Sequence, residues 1–270
     1  MHLKRWITGL SALPLLIYII VKGGLFFTLF VGLASLIAMW EYLRISQTAR
    51  GGTAALVMKV VAYLYVPLIV GGAHQLSAES ILNSVVICFC ITGVASVLLF
   101  GNDPQIIDTT RKLLLGALYV PLLFSYLVLI RDGVAPGGAV WIFFVLVIVF
   151  AGDISALYVG TYFGKHKIYP ALSPKKTIEG SLGGLGANLF CGALFKAIFL
   201  PELSWWTSLV FCLSLGVAGQ IGDFFESGLK RGANIKDSGG ILPGHGGILD
   251  RTDALMFAAP VAYLFKVHLF

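Results

Sequence analysis

The chain has 270 residues, of which 58% are hydrophobic and 12% charged, with a formal net charge of +6 and a mean hydropathy of +0.91. Ordinary soluble domains are about one quarter charged, so the composition excludes a soluble globular protein and indicates an integral membrane protein. The four cysteines, Cys88, Cys90, Cys191 and Cys212, all fall in apolar runs, which excludes a disulfide framework or a zinc site built on paired cysteines.

A helix needs about 17–25 mainly apolar residues to cross a hydrocarbon core about 30 Å thick. In chain order, such stretches occur at 6–21, 25–42, 54–72, 81–100, 113–130, 139–160, 181–200, 207–229 and 248–268. Continuous apolar runs without in/out alternation favour helices over a barrel. The expected fold is therefore all-α, a polytopic integral membrane protein with about nine transmembrane helices. MHLKR before the first stretch resembles the start of a signal peptide, but no small-x-small cleavage site follows, and that span is expected to be retained. Most Lys and Arg, including Lys4, Arg5, Arg44, Arg111, Lys112, Lys175, Lys176, Lys230 and Arg231, fall on one side of the alternating spans, against Lys22, Arg131, Lys196 and Lys266 on the other. The positive-inside tendency then puts the N-terminus in the cytoplasm.

The halves differ. In residues 1–150 the acids Glu41, Glu79, Asp103, Asp108 and Asp132 fall at span ends or in loops, and this part, about five spans, reads as a packing or dimerisation platform. In residues 151–270, Asp153, Asp223, Glu226, Asp250 and Asp253 lie within or at the mouths of helices. An acid at the bilayer centre costs about 2.5–3.5 kcal/mol on insertion scales and marks a functional site by default, although shallow acids are also solvated or paired with basic residues. Chemistry is thus expected in the second half, at the loops 164–180 and 230–248.

Spacing sharpens this. Asp223, Glu226 and Ser227 share one helical face, and Asp250 and Asp253 repeat the i,i+3 pairing on the last span. Clustered carboxylates repel one another unless a cation sits among them, and hard oxygen ligands suit Mg²⁺. Between the pairs runs GANIKDSGGILPGHGG, too rich in glycine for a helix; its backbone N–H groups, and the helix N-terminus expected near Gly247, suit a phosphate. His245 stands there between Gly244 and Gly246. The other polar loop, GKHKIYPALSPKKTIEG, lies on the same side and brings four lysines. It reads either as a plain basic loop or as a partner for phosphate charge.

These residues resemble a known family. Ser227, Leu229, Lys230 and Arg231, then Lys236, Asp237 and Gly239, then Leu242, Pro243, His245, Gly246, Gly247, Asp250, Arg251 and Asp253 are similar to the signature of the phosphatidate cytidylyltransferases, or CDP-diacylglycerol synthases. The stretch from Asp153 through Tyr158, with Gly160, Phe163, Gly164, Lys165 and the run Ser173-Pro174-Lys175-Lys176-Thr177-Ile178-Glu179-Gly180, resembles a second block of that family. Nothing in the first 150 residues carries a motif.

The resemblance implies transfer of a cytidylyl group from CTP to phosphatidate, giving CDP-diacylglycerol and pyrophosphate for phospholipid synthesis. It implies Mg²⁺ held by Asp223 and Asp250, with Asp253 and Glu226 assisting, and it leaves room for a second cation. Catalytic roles fall to Asp223, Asp250, Asp253, His245 and Lys176. Substrate-binding roles fall to Asp153, Ser173, Lys175, Ser227, Lys230, Arg231, Lys236, Asp237, Gly246, Gly247 and Arg251. The expected partners are CTP, phosphatidate and membrane lipid, with a homodimer and without nucleic acid. The expected location is the inner, cytoplasmic membrane, with the active site facing the cytoplasm. The alternatives are a CTP-dependent polyprenol or phytol kinase and, from another class, a cation-coupled transporter.

Overall fold

The structure is a computed structural model that describes residues 13–46, 52–101, 105–133, 137–240 and 246–270. Among them the chain is helical: α1 (Leu13–Lys22), α2 (Gly24–Ile45), α3 (Gly52–His74), α4 (Ala78–Leu99), α5 (Ile106–Tyr119), α6 (Pro121–Val128), α7 (Gly138–Tyr162), α8 (Ile178–Phe199), α9 (Trp205–Gly232) and α10 (Leu249–His268). Seven helical segments are long and apolar enough to span a membrane, with α5, α6 and the π-turn Leu129–Gly133 running as one of them. Of the nine expected spans, the first is described only from Leu13, and α10, which carries Asp250, Arg251, Asp253 and Lys266, is not among the seven.

The fifth expected span differs from its reading. Helix begins at Ile106, before 113, so that Asp108 and Lys112 stand one turn apart on it and pair at 2.7 Å rather than lying in a loop. It breaks at Val120, where Pro121 supplies no N–H and opens α6.

The chain forms two compact units: residues 1–133 with 232–251, and residues 134–231 with 252–270. In the first, α3 packs against α2, α4, α5 and α6, with Tyr42, Met58, Tyr65 and Ile69 in the core. The turn after α6 ties α1 to α2: Asp132 accepts the Gly24 N–H at 3.0 Å, and Arg131 donates to the Val21 carbonyl at 2.6 Å. Large apolar side chains such as Val97, Leu98 and Phe89 are outward-facing, as a lipid solvent allows.

The second unit has an aromatic end and an acidic end. Trp141 of α7, Phe195 of α8, Phe211 of α9 and Phe265 of α10 belong to one aromatic cluster, with ring centres 5.0–5.7 Å apart from their neighbours Phe144 and Phe211. Between the ends, small residues let backbones approach. A Cβ on Gly152 would lie 2.3 Å from Asn188 Oδ1, and one on Gly216 would lie 2.0 Å from Asn188 Nδ2. The glycines of α8 thus serve close helix packing. The helices run on from there to the end that carries the acids.

Candidate active site

Helix α9 presents the first acid pair in two different settings. Asp223, about one-third exposed, ion-pairs with Lys176, whose ammonium lies 4.3 Å from the centre of the Phe224 ring. Glu226 is buried and receives Lys230 Nζ at 2.6 Å, one helical turn away. A buried carboxylate stripped of its cation is strongly destabilising, so Lys230 is held to Glu226 here. Asp253 is 8% exposed, accepts the Ala254 N–H at 2.8 Å, and lies within electrostatic reach of Asp223, Glu226 and Asp153. The close approach needs Gly222, where a Cβ would sit 2.5 Å from the Asp253 carbonyl oxygen.

Among the described residues no three His, Cys, Asp or Glu side chains form a metal-ligand set. Mg²⁺ is usually held by one or two carboxylates together with waters and substrate phosphates rather than by an all-protein cage. Of these carboxylates Asp223 is part-exposed while Glu226 and Asp253 are buried, with Lys176 and Lys230 balancing the charge, so Asp223 is the one placed for that mode.

The basic loop is folded. Its ends pair through the antiparallel bridge between Lys167 and Thr177, and Ile178 N–H donates to the His166 carbonyl at 2.8 Å. Glu179, in the first turn of α8, accepts the Lys165 N–H at 3.0 Å and contacts His166 Nδ1 at 2.6 Å. Thr177 caps α8 by accepting the Gly180 N–H at 3.1 Å. Arg231 Nε donates to the Leu172 carbonyl at 3.2 Å, and Ser173 N–H donates to the Tyr169 carbonyl at 3.0 Å. Lys175 is left exposed while Lys176 reaches Asp223. The loop is therefore a built element joined to the acid helix, which a plain basic loop does not require.

The glycine loop is held from an unexpected direction. Glu41 of α2, wholly buried, accepts from Ile248 N–H at 3.1 Å, Leu249 N–H at 2.7 Å and Ser238 Oγ at 3.1 Å. Asp250 accepts the Ser238 N–H and the Gly247 N–H, each at 3.0 Å. The amides at the start of α10, expected to seat a phosphate, thus have carboxylate acceptors already. Two glycines exist for this packing: a Cβ on Gly239 would lie 2.3 Å from Glu41 Oε1, and one on Gly247 would lie 2.5 Å from both Glu41 oxygens. Gly246 instead adopts φ +83°, a conformation other residues avoid.

The remaining expected residues are placed as follows. Lys236, Asp237 and Arg251 are exposed, Ser227 is half-buried on α9, and Asp153 is exposed on α7. His245 lies outside the described residues. Two residues escaped the sequence reading. Glu41 looked like a span-end acid, and Gln220 lay unremarked in an apolar run. Gln220 exchanges hydrogen bonds with Ser181, donating to its carbonyl at 3.0 Å and accepting from its hydroxyl, which locks α9 to α8 one turn before Asp223. An acid and an amide inside otherwise apolar helices were the available signals.

A family model described as the cytidylyltransferase family matches residues 3–269. A phosphatidate cytidylyltransferase of Bacillus subtilis is 31% identical over 260 residues, covering 96% of each chain. Proteins of the same name from Staphylococcus epidermidis and Staphylococcus saprophyticus are each 32% identical, over 264 and 267 residues, covering 98% of this chain and 98% and 99% of theirs.

Proposed function

The chain belongs to the cytidylyltransferase family, and from that premise we propose that it transfers the cytidylyl group of CTP to phosphatidate, releasing pyrophosphate and forming CDP-diacylglycerol. The observation that carries the reading is the Lys176–Asp223 ion pair, which joins the SPKKT loop to the acid helix.

Nucleotidyl transfer needs charge neutralisation and in-line positioning more than a protein nucleophile. A phosphatidate oxygen attacks the α-phosphorus of CTP, and the bond to the departing pyrophosphate breaks on the opposite side. Asp223 and Asp250, assisted by Asp253 and Glu226, are the residues to hold Mg²⁺, which when bound neutralises phosphate charge and polarises the phosphoryl oxygens. Lys176 is stationed at a carboxylate and an aromatic face, where an arriving phosphate oxygen competes for it. Lys175, Arg251 and Lys236 offer exposed cations to the two substrates' phosphates, with Lys230 and Arg231 on the flank of α9. Because Gly247, Ile248 and Leu249 already donate to carboxylates, more of the phosphate recognition falls to these side chains. His245 donates to a phosphate oxygen or carries a proton. Ser173, Ser227, Asp237, Gly246 and Asp153 complete the substrate contacts.

One substrate is water-soluble and the other a lipid, so the site opens at the membrane boundary. We assign that boundary to the cytoplasmic face of a multi-pass protein with its N-terminus inside, on the distribution of Lys and Arg. Self-association through the first five spans is part of the same proposal.

The test is purified protein with phosphatidate, Mg²⁺ and CTP labelled at either the α- or the γ-phosphorus. The α-label is expected in the lipid and the γ-label in pyrophosphate, with chelation of divalent cations stopping both. Lipid carrying only γ-label would sink the reading in favour of a lipid kinase. Vesicles that pass cations while CTP and phosphatidate stay unreacted would favour a transporter.

A further inference from the structure

Glu41 is buried among groups that belong to the glycine loop and the start of α10. Every hydrogen bond it makes among the described residues goes to Ser238, Ile248 or Leu249, residues 197 to 208 positions away in sequence. Ser238 is itself buried and turns its N–H to Asp250 while its hydroxyl goes to Glu41. Gly247 divides its surroundings in the same way, with its N–H on Asp250 and its Cα face against the Ser238 hydroxyl and Glu41. The two carboxylates are therefore stitched together through both flanks of segment 241–245.

We propose that Glu41 is a positioning residue of the active site: its carboxylate fixes the flanks of the glycine loop and thereby the orientation of the Asp250 carboxylate. The inference rests on the functional reading above, in which Asp250 serves the reaction. A core that needed only filling would hold an apolar side chain there, since a buried carboxylate is favourable only when its hydrogen bonds are satisfied. Among the described residues its donors come from the glycine loop and the first residue of α10, which makes holding that loop to the helix start the arrangement's effect. Groups that orient an acid ligand typically change activity by about 10–100-fold when altered.

The test is Glu41→Gln in the full chain. The Ile248 and Leu249 amides bond different carboxylate oxygens, so a carboxamide, with an NH2 in place of one of them, can no longer serve both where they stand. Hydrogen exchange of the ligand-free protein should quicken about 10-fold or more in peptides covering 237–240 and 246–252 and stay unchanged in α3 and α4. In turnover, kcat should fall about 10–100-fold with the KM for phosphatidate within about twofold of wild type. Ser238→Ala, which keeps the carboxylate and removes one donor, should give the same pattern more weakly and serves if Glu41→Gln does not fold. Wild-type kcat in Glu41→Gln, with or without faster exchange, overturns the proposal, as does unchanged exchange in both variants. A wild-type protein that makes no CDP-lipid overturns the functional reading instead, and the exchange measurement, which needs no substrate, still decides whether Glu41 holds the loop.

Discussion

Gly239 and Gly240 are adjacent, and the structure gives them opposite tolerances. A Cβ on Gly239 would lie 2.3 Å from Glu41 Oε1, 2.9 Å from Cδ and 3.1 Å from Cγ, whereas one on Gly240 would meet nothing within 4 Å. Gly239→Ala must push the Glu41 carboxylate back by the better part of an ångström. Overpacking of this kind costs about 1–3 kcal/mol, and hydrogen bonds to charged groups, here those from Ile248 and Leu249, are worth about 1.5–3 kcal/mol each. A total of about 2–4 kcal/mol follows if the displaced carboxylate keeps some of its partners. At roughly 2–4 °C per kcal/mol for a domain of 150–250 residues, the melting temperature in detergent should drop by about 5–15 °C. Gly240→Ala should be neutral or raise stability by about 0.4–1 kcal/mol, through the unfolded chain. In a Glu41→Ala background the cost of Gly239→Ala should shrink by at least about 1 kcal/mol, because its nearest neighbour is gone. A Gly239→Ala protein that melts with the wild type, or that loses as much stability without Glu41 as with it, would refute the contact.

Asp223→Asn should lower turnover by at least about 100-fold while the melting temperature stays within a few degrees of wild type, because the Asp223–Lys176 pair, about one-third exposed, contributes little to folding; near-normal turnover would remove Asp223 from the site. Glu179→Gln should loosen the basic loop, since Glu179 holds the Lys165 N–H and His166; protease cleavage within 164–176 should accelerate several-fold, with the helices still resistant. Gly216→Ala should destabilise the second unit by about 1–3 kcal/mol, read as a lower melting temperature, since a Cβ there would lie 2.0 Å from Asn188 Nδ2.

The sequence made the helical, membrane-spanning architecture legible because its signal is local: length and apolarity of single segments. The acids of α9 and α10 drew attention for a related reason, as polar residues in apolar surroundings advertise a cost that must be met, whereas the lysines of the SPKKT loop stood out through the family resemblance. What stayed hidden depends on partners far away in the chain. Glu41 is one acid near the end of a span, and nothing in its neighbours reveals an attachment to Ser238 and Leu249. Gln220 became meaningful only opposite Ser181. The glycines of KDSGG and HGGILD suggested ligand approach, whereas Gly239 and Gly247 make room for a carboxylate of the protein itself. The charged run around Asp108 and Lys112 read as a loop because its pairing is a property of the helix it sits on.

The Glu41 attachment also bears on how the protein is made. Helix α2 enters the membrane when the residues that will serve its buried carboxylate have not yet been synthesised. At roughly 5–20 residues per second, the 208 positions separating Glu41 from Leu249 amount to about 10–40 s of translation. During that interval the donors that Glu41 uses in the folded chain are absent, and the first unit is complete only once residues 232–251 join residues 1–133. A ribosome stalled before residue 238 would therefore leave Glu41 without any of the three donors that serve it in the folded chain.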